Sequence, residues 1–199
     1  MKFSLLFYPL IVLHLLCAGC VTIRFVEETT NEGLVRYSLK KSPVYKQEVK
    51  HGKFTSWYRN GTKKIVSTYK NGKKDGLETL WDASGTKLRE TSYKKGQKWG
   101  AEIYWGPNNI KRKETTYRFD NRHGTEITFH KNGVKAKVEN YVGGVKEGPE
   151  TGYDDTGRKV YEVTYSNGKK NGKEIFYDYS SGEKPVITKI IWQNGAVVK

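Results

Sequence analysis

Glutamate recurs every 24 residues through most of this chain, and lysine recurs at the same spacing. The glutamates are Glu78, Glu102, Glu126, Glu150 and Glu174, and the lysines are Lys63, Lys87, Lys111, Lys135 and Lys159. Paired carboxylates can perform acid–base chemistry, but only inside a closed pocket that separates their pKa values. An open repeat offers no such pocket. We therefore interpret the two sets as a ladder of ion pairs on a solvent-facing surface, worth about 0–1 kcal/mol per pair.

The histidines and cysteines form no recognisable site. His51 and His123 share one repeat position, and His130 stands alone. Cys17 and Cys20 have the C-x-x-C spacing of some redox and metal sites, but the chain has no other cysteine to complete one. Phosphate-binding loops and nucleophile elbows are also absent from the sequence. The sequence predicts a protein without metal, cofactor or enzyme activity.

The excess of basic residues is the feature most suited to binding. The chain has 36 Lys and Arg against 21 Asp and Glu, a formal net charge of +15. Nine of the basic residues fall on or beside the same turn in successive units: Lys73, Lys74, Lys94, Lys95, Lys98, Arg122, Lys146, Lys169 and Lys170. Together they would form a positive stripe along one sheet edge, which would attract lipid head groups, envelope polyanions or an acidic protein. Alternatively, they are a solvated surface that prevents sheet aggregation.

These residues belong to a repeat of 24 residues that fills most of the chain. Its first mark is a tyrosine, at Tyr45, Tyr69, Tyr93, Tyr117, Tyr141 and Tyr165. Seven residues after each tyrosine stands a glycine, at Gly52, Gly76, Gly100, Gly124, Gly148 and Gly172. Twelve residues after it stands an aromatic residue, at Trp57, Trp81, Trp105, Phe129, Tyr153 and Tyr177. The units are 45–68, 69–92, 93–116, 117–140, 141–164, 165–191 and a partial 192–199.

Each unit contains two turn signals separated by short stretches rich in Tyr, Trp, Ile, Val and Thr. The first signal has the form of Asn71–Gly76 and the second that of Asp82–Gly85. Asn-Gly readily adopts the positive φ of tight hairpin turns, and the stretches between the turns show no helical period. The sequence predicts an all-β fold, an elongated antiparallel meander of hairpins in a single sheet of about 12–13 strands. We expect equivalent rings to stack on one face and shield it. A stacking platform for bases or sugars is the alternative.

The repeat resembles the bacterial variant of the MORN repeat, whose unit runs Tyr-x-Asn-Gly-Lys-x-x-Gly, then a strand ending in an aromatic residue, then a glycine turn. The resemblance covers residues 45–195 and is strongest in the units opening at Tyr69 and Tyr165. It implies an interaction module, since such repeats are mostly binding modules, some of them linked to phospholipids or proteins. One cytoplasmic branch of the family is described as antitoxin-like.

The first 19 residues read as an export signal. Lys2 is followed by an apolar run from Phe3 to Leu16 and then by Ala18, Gly19 and Cys20. The pattern resembles a bacterial lipoprotein signal that is cleaved before Cys20, with the lipid on that thiol. An uncleaved membrane anchor is the alternative. We expect a membrane-anchored lipoprotein of the cell envelope, at the outer membrane or cell surface. Nucleic acid is therefore not an expected partner.

The two ends of the repeat array carry separate predictions. Residues 20–44 are out of phase with the repeat. We interpret Glu27–Gly33 as a polar tether and Leu34–Leu39 as a possible capping strand, with a break at Ser42-Pro43. At the far end, Val186–Trp192 is the most apolar strand, and little of the chain follows to cover it. We expect this edge to pair with a partner or with a second copy of the chain by strand addition.

Three hypotheses about function follow from these observations. The first is a non-enzymatic envelope lipoprotein whose repeats form a binding or scaffold module for an anionic or protein partner. The second is an antitoxin or immunity-type protein that neutralises a partner by covering it. The third is an accessory domain of a polysaccharide-active enzyme.

Overall fold

The structure is a computed structural model that describes residues 22–41 and 47–198. The predicted signal peptide 1–19, the lipidation site Cys20, the break at Ser42-Pro43 and the first repeat tyrosine, Tyr45, lie outside the described residues. All described strands are antiparallel members of one 18-stranded sheet, joined in meander order. The all-β prediction is confirmed. Within the described ranges, no helix is long and apolar enough to cross a membrane.

Close contacts divide the chain into two units. The first holds the described residues up to Thr86 together with Tyr93–Gly96, and the second holds Lys87–Ser92 and the residues from Gln97 onward. The first unit contains β1 Thr22–Thr30, β2 Gly33–Lys41, β3 Val49–Lys50, β4 Gly52–Trp57, β5 Lys63–Lys70, β6 Lys73–Lys74 and β7 Gly76–Trp81.

The second unit contains the remaining strands and one short 3-10 turn at Pro107–Asn109. Strand β8 spans Lys87–Lys94, and its last two residues belong to the first unit. The others are β9 Gln97–Trp105, β10 Lys111–Arg118, β11 Asn121–Phe129, β12 Lys135–Val142, β13 Val145–Lys146, β14 Gly148–Tyr153, β15 Lys159–Ser166, β16 Lys169–Asp178, β17 Val186–Gln193 and β18 Ala196–Val198.

The number of strands exceeds the predicted 12–13 for two reasons. Strands β3, β6 and β13 are two-residue pieces, and each is separated by one residue from the strand that follows it. The same segment is continuous in β9, β11 and β16, so each pair of pieces corresponds to one strand of the repeat. The other reason is the hairpin β1–β2, which precedes the repeats and pairs along its whole length from Thr22↔Lys41 to Thr30↔Gly33.

That hairpin corrects the prediction of a polar tether. Glu27 and Glu28 lie inside β1, opposite Arg36 and Val35 of β2. Polarity alone suggests a tether, but an edge strand with exposed side chains can be polar and still pair through its backbone. Arg36 binds Glu27 across the hairpin at 2.6 Å. Leu34–Leu39, the possible capping strand, lies within β2.

The first turn of the 24-residue repeat is shorter than predicted. Asn71 and Gly72 both have positive φ (52° and 82°), as do Asn167 and Gly168 (49° and 78°), so these hairpins close with two residues. Successive turns are joined through their backbones. Gly72 donates its N–H to the carbonyl of Lys50, and equivalent bonds join Gly96 to Lys74, Gly144 to Arg122, Gly168 to Lys146 and Gly195 to Lys170. Within each unit these bonds align the turns in a row.

The repeat glycine lies in a β-bulge, not in the turn as predicted. Tyr117 pairs with Arg122 and Thr115 pairs with Glu126, so the four steps from Arg122 to Glu126 face only two steps of β10. The same two extra residues occur between Lys170 and Glu174. The glycine inside each bulge has positive φ, for example 115° at Gly76. Glycine tolerates this conformation because it has no Cβ.

We predict that Gly76→Val destabilises the protein by about 1–3 kcal/mol, the usual cost of holding a non-glycine residue in such a conformation. A Cβ at Gly76 would also lie 3.4 Å from the Cβ of Thr68. Denaturant unfolding measures the change. The matched control is Leu77→Val at the next position, which is 50% exposed and is not a glycine. An unchanged unfolding midpoint for Gly76→Val would contradict the bulge assignment.

Candidate functional site

The glutamates of the repeat are buried, so the predicted solvent-facing ladder is wrong. Relative exposure is 4% for Glu78, 2% for Glu102, 4% for Glu126, 7% for Glu150 and 4% for Glu174. By contrast, Val26, Tyr141 and Val163 are the buried hydrophobic residues of the described chain. Both units are therefore organised around buried polar groups.

Within the second unit, strand register places the glutamates in a row across one face of the sheet. In the second unit, Glu102 lies opposite Thr115, and Thr115 lies opposite Glu126. The hydroxyl of Thr115 donates to Glu126 at 2.9 Å, and that of Thr91 donates to Glu102 at 3.2 Å. In the first unit, Ser67 donates to Glu78 at 2.7 Å. The hydroxyls thus supply one of the hydrogen bonds that a buried carboxylate needs.

A basic residue four positions earlier supplies the countercharge. The pairs are Lys74–Glu78, Lys98–Glu102, Arg122–Glu126, Lys146–Glu150 and Lys170–Glu174. Four residues of regular strand would separate such partners by about 13 Å. The bulge removes this obstacle because it folds four residues into the span of two on the neighbouring strand. Ion pair and bulge therefore depend on each other.

The same cations cover the aromatic rings of the tyrosine positions. Lys74 lies over Tyr93, Lys98 over Tyr117, Arg122 over Tyr141, Lys146 over Tyr165 and Lys170 over Trp192, at 3.9–4.9 Å from the ring centroids. We expected equivalent rings to stack on one another, but a cation covers each of these rings instead. Burial and the neighbouring carboxylate of Glu102 raise the pKa of Tyr117 to about 12.

These contacts give five members of the predicted positive stripe a structural role. The side chains of Lys74, Lys98, Arg122, Lys146 and Lys170 are only 23–38% exposed. Each is held between a buried carboxylate and a ring, so its charge is largely neutralised within the protein. Sequence position alone could not separate these five residues from their exposed neighbours.

Glu139 is a buried glutamate at a position where the earlier repeat has a hydroxyl residue. It takes the place that Thr115 occupies one repeat earlier and lies directly opposite Glu126. Lys146 and Lys137 bind it at 2.6 and 3.1 Å. Burial alone would raise the pKa of the Glu139 carboxyl, but the hydrogen bonds from the two lysines outweigh burial and lower it. Burial would lower the pKa of Lys146, and its hydrogen bonds to Glu139 and Glu150 raise it instead.

A second set of ion pairs lies on the opposite face in the second unit. Three of the five predicted lysines form such pairs, but with glutamates three residues later: Lys87–Glu90 at 2.9 Å, Lys111–Glu114 at 2.8 Å and Lys159–Glu162 at 2.7 Å. Lys87 also lies 5.1 Å from the ring centroid of Trp105. Hydrogen bonds from Lys159 and Tyr177 lower the pKa of the Glu162 carboxyl. Both faces thus use cation, carboxylate and ring.

The exposed remainder of the stripe is concentrated in the first unit. Lys73, Lys94 and Lys95 are exposed on or beside two turns that the Gly96–Lys74 backbone bond joins at 2.7 Å. Lys70, which the sequence analysis did not single out, is exposed immediately before the first of these turns. We call these four residues the turn lysine patch. Its signal in the sequence was the lysine flanking each tight turn. Lys169 is exposed on a turn of the second unit.

Two other turns of the second unit carry exposed apolar residues, which the sequence analysis missed. Phe119 is 54% exposed, Val142 is 56% exposed and Val145 is 47% exposed. Phe119 has a φ of 52°, an unusual value for a bulky residue. Its ring contacts Trp99 edge-on, with 4.6 Å between the centroids. The signal in the sequence was the absence of Asn-Gly from the first turns of repeats 117–140 and 141–164.

The histidines join neighbouring turns. Nδ1 of His51 accepts the N–H of Asn71 at 3.3 Å, and Nδ1 of His123 accepts that of Gly143 at 3.4 Å. His130 bonds the carbonyl of Tyr153 through Nε2 at 2.8 Å. In the described part of the chain, no group of three His, Cys, Asp or Glu residues could hold a metal ion.

Two segments of the chain match a known family. The model of the MORN repeat variant matches residues 50–71 and residues 122–142. Each match starts at the basic residue of the bulge, Lys50 or Arg122, and includes the bulge glycine and the second turn. Each ends one or two residues after the next repeat tyrosine, Tyr69 or Tyr141. The second match lies three repeats after the first. No curated protein matches the chain.

We predict that the buried pair Lys98–Glu102 is strongly coupled. Glu102→Ala should lower the free energy of unfolding by about 3 kcal/mol, because it leaves Lys98 without its countercharge and opens a void. In a double-mutant cycle with Lys98→Ala, the coupling should be about 1–2 kcal/mol. Urea unfolding of the wild type, both single variants and the double variant gives the values.

The matched control is the pair Lys87–Glu90, whose side chains are 33% and 21% exposed. Its coupling should be about 0.5 kcal/mol, typical of a solvent-screened pair. Equal coupling in the two cycles would show that burial of the glutamate row does not strengthen these pairs.

Proposed function

We propose that this protein is a non-enzymatic lipoprotein of the cell envelope whose repeats form a binding or scaffold module for an anionic or protein partner. Its recognisable segments belong to a repeat type that commonly serves as a binding or scaffold module. The buried glutamates form ion pairs with basic residues and hydrogen bonds with hydroxyls. These contacts stabilise the sheet, so a catalytic role is not needed to explain why glutamate recurs at these positions. The predicted lipidation of Cys20 would anchor the chain through its N-terminus.

The turn lysine patch is the observation that carries this proposal. Its lysines are exposed on or beside two adjacent turns, and those turns are fixed by backbone bonds. Asp75 accepts the N–H of Lys95 at 3.1 Å and so holds the second turn without using the ammonium group. A rigid array of exposed cations attracts anionic surfaces, and the attraction weakens with salt. The partner therefore carries clustered negative charge.

We predict that Lys73→Gln, Lys94→Gln and Lys95→Gln together weaken binding of residues 21–199 to anionic phospholipid vesicles at least about tenfold. Each basic residue near such a surface contributes on the order of 1 kcal/mol. Vesicle co-sedimentation at low salt measures the loss, and binding should fall as salt is raised.

The matched control removes the same charge elsewhere in the first unit, through Lys41→Gln, Lys53→Gln and Lys63→Gln. All three of these lysines are exposed. The control should retain most of the binding. Equal loss in both variants, or equal binding to uncharged vesicles, would refute a specific role for the patch.

A second mode of binding is favoured by the edge of the second unit. Strand β17 pairs with β16 along one edge from Val186 to Trp192. Along the other edge, β18 pairs only with the last three residues of β17, Ile191–Gln193. Among the described pairings, residues 186–190 therefore keep an open outer edge. Val186 is 57% exposed and Ile187 is 51% exposed. We propose that a second copy pairs there, antiparallel about Thr188, which places Lys189 opposite Ile187 of the other copy and avoids like charges.

We predict that residues 21–199 form dimers in size-exclusion chromatography with light scattering, and that Ile187→Lys restores monomers by placing two ammonium groups side by side. Leu77→Lys is the control, because Leu77 is similarly exposed at 50% but belongs to β7 and not to the open edge of residues 186–190. A monomeric wild type at high concentration would refute the pairing.

A further inference from the structure

The first unit contains a groove between two turns that involves neither the turn lysine patch nor the open edge of β17. The groove has a volume of about 610 Å³ and lies between the β1–β2 turn and the β4–β5 turn. Gly33 makes the close approach of these turns possible. A Cβ at Gly33 would lie only 2.1 Å from the carbonyl oxygen of Trp57. The two walls are thus packed directly against each other at the base.

Aromatic rings and a guanidinium line the groove. Trp57 and Tyr58 contribute the rings, and Leu34 adds an apolar surface. The guanidinium of Arg36 lies 5.2 Å from the centroid of the Trp57 ring. Nζ of Lys64 lies 5.4 Å from the centroid of the Tyr58 ring. Such a surface suits a flat molecule that can stack on indole or phenol.

Arg59 supplies the positive charge. Its Nε donates to the carbonyl of Asn31 at 2.7 Å, so the side chain links the two turns that form the groove. Among the described ion pairs, Arg36 is matched by Glu27 and Lys64 by Glu32. Arg59 has no acidic partner among them. The groove therefore carries one surplus positive charge, on a guanidinium bonded through Nε.

We propose that this groove binds a ring-bearing monocarboxylate. The ring would lie against Trp57, and the carboxylate would bind the terminal nitrogens of Arg59, whose planar fork matches the two carboxylate oxygens. The groove volume is in the range typical of small-molecule sites. The ligand is either an aromatic carboxylate or a sugar acid, since both join a ring that can stack on an indole to a single negative charge.

The test is ¹⁵N NMR titration of the full-length chain in neutral detergent, following the indole N–H signals of its five tryptophans. The probes are 2-naphthoate, glucuronate and the uncharged 2-naphthalenemethanol, and Trp57→Phe assigns the signal. We expect a carboxylate probe to shift the Trp57 signal in a saturable manner. The uncharged probe should bind at least about tenfold more weakly, the effect of losing a charge-assisted hydrogen bond.

Arg59→Gln should weaken carboxylate binding about tenfold, and Arg59→Lys should weaken it less because the charge remains. Lys53→Gln, an exposed charge on β4, is the matched control and should bind as the wild type does. Binding of naphthoate alone or glucuronate alone supports the proposal and identifies the source of the ligand. The proposal is refuted if neither carboxylate shifts Trp57, if the uncharged probe binds equally well, or if Arg59→Gln and Lys53→Gln behave alike.

Discussion

The described residues form a sheet with no second layer, so its own side chains have to shield its faces, and this constraint governs the composition of the repeat. Aliphatic residues from a covering layer would normally do this. Here Glu102 lies beneath the stem of Lys98 and the ring of Tyr117, and the hydroxyl of Thr91 on the neighbouring strand donates to it. At Glu174 the indole N–H of Trp192 takes the place of the hydroxyl. A cation can cover a ring and neutralise a carboxylate while keeping one side in water, so desolvation of the pair is incomplete.

The bulge is what makes this arrangement repeat. Lys170 and Glu174 are four residues apart in a strand and yet form an ion pair, because Lys170 lies opposite Tyr165 and Glu174 lies opposite Val163. The intervening Gly172 has a φ of 104°, which absorbs the two extra residues. Glycine, cation, carboxylate and ring therefore form one geometric unit. This coupling explains why four different residue types share one period of 24 positions, where a hydrophobic core would require only apolar alternation.

The period revealed the fold but not the environment of each position. Tyr, Gly and aromatic spacing indicated hairpins and an all-β meander, and the strands follow that plan. Burial of Glu102 was missed because repetition identifies equivalent positions without saying which of them are covered. The bulge was missed because a glycine close to Asn-Gly suggests a longer turn. Strand β1 was missed because Glu27 and Glu28 conceal a backbone pairing that needs no apolar side chain.

The positions best suited to binding are therefore those where the units differ. The positions that all repeats share hold the buried ion pairs. A residue such as Lys98 therefore cannot give up its contact with Glu102 without a loss of stability. Residues at the turns do not take part in these buried ion pairs. They vary from exposed lysines at Lys73 and Lys95 to Phe119. Arg59 occupies a second-turn position that is Ala83 one unit later. A scaffold whose stability resides in repeated contacts can change its partners at such sites without changing its fold.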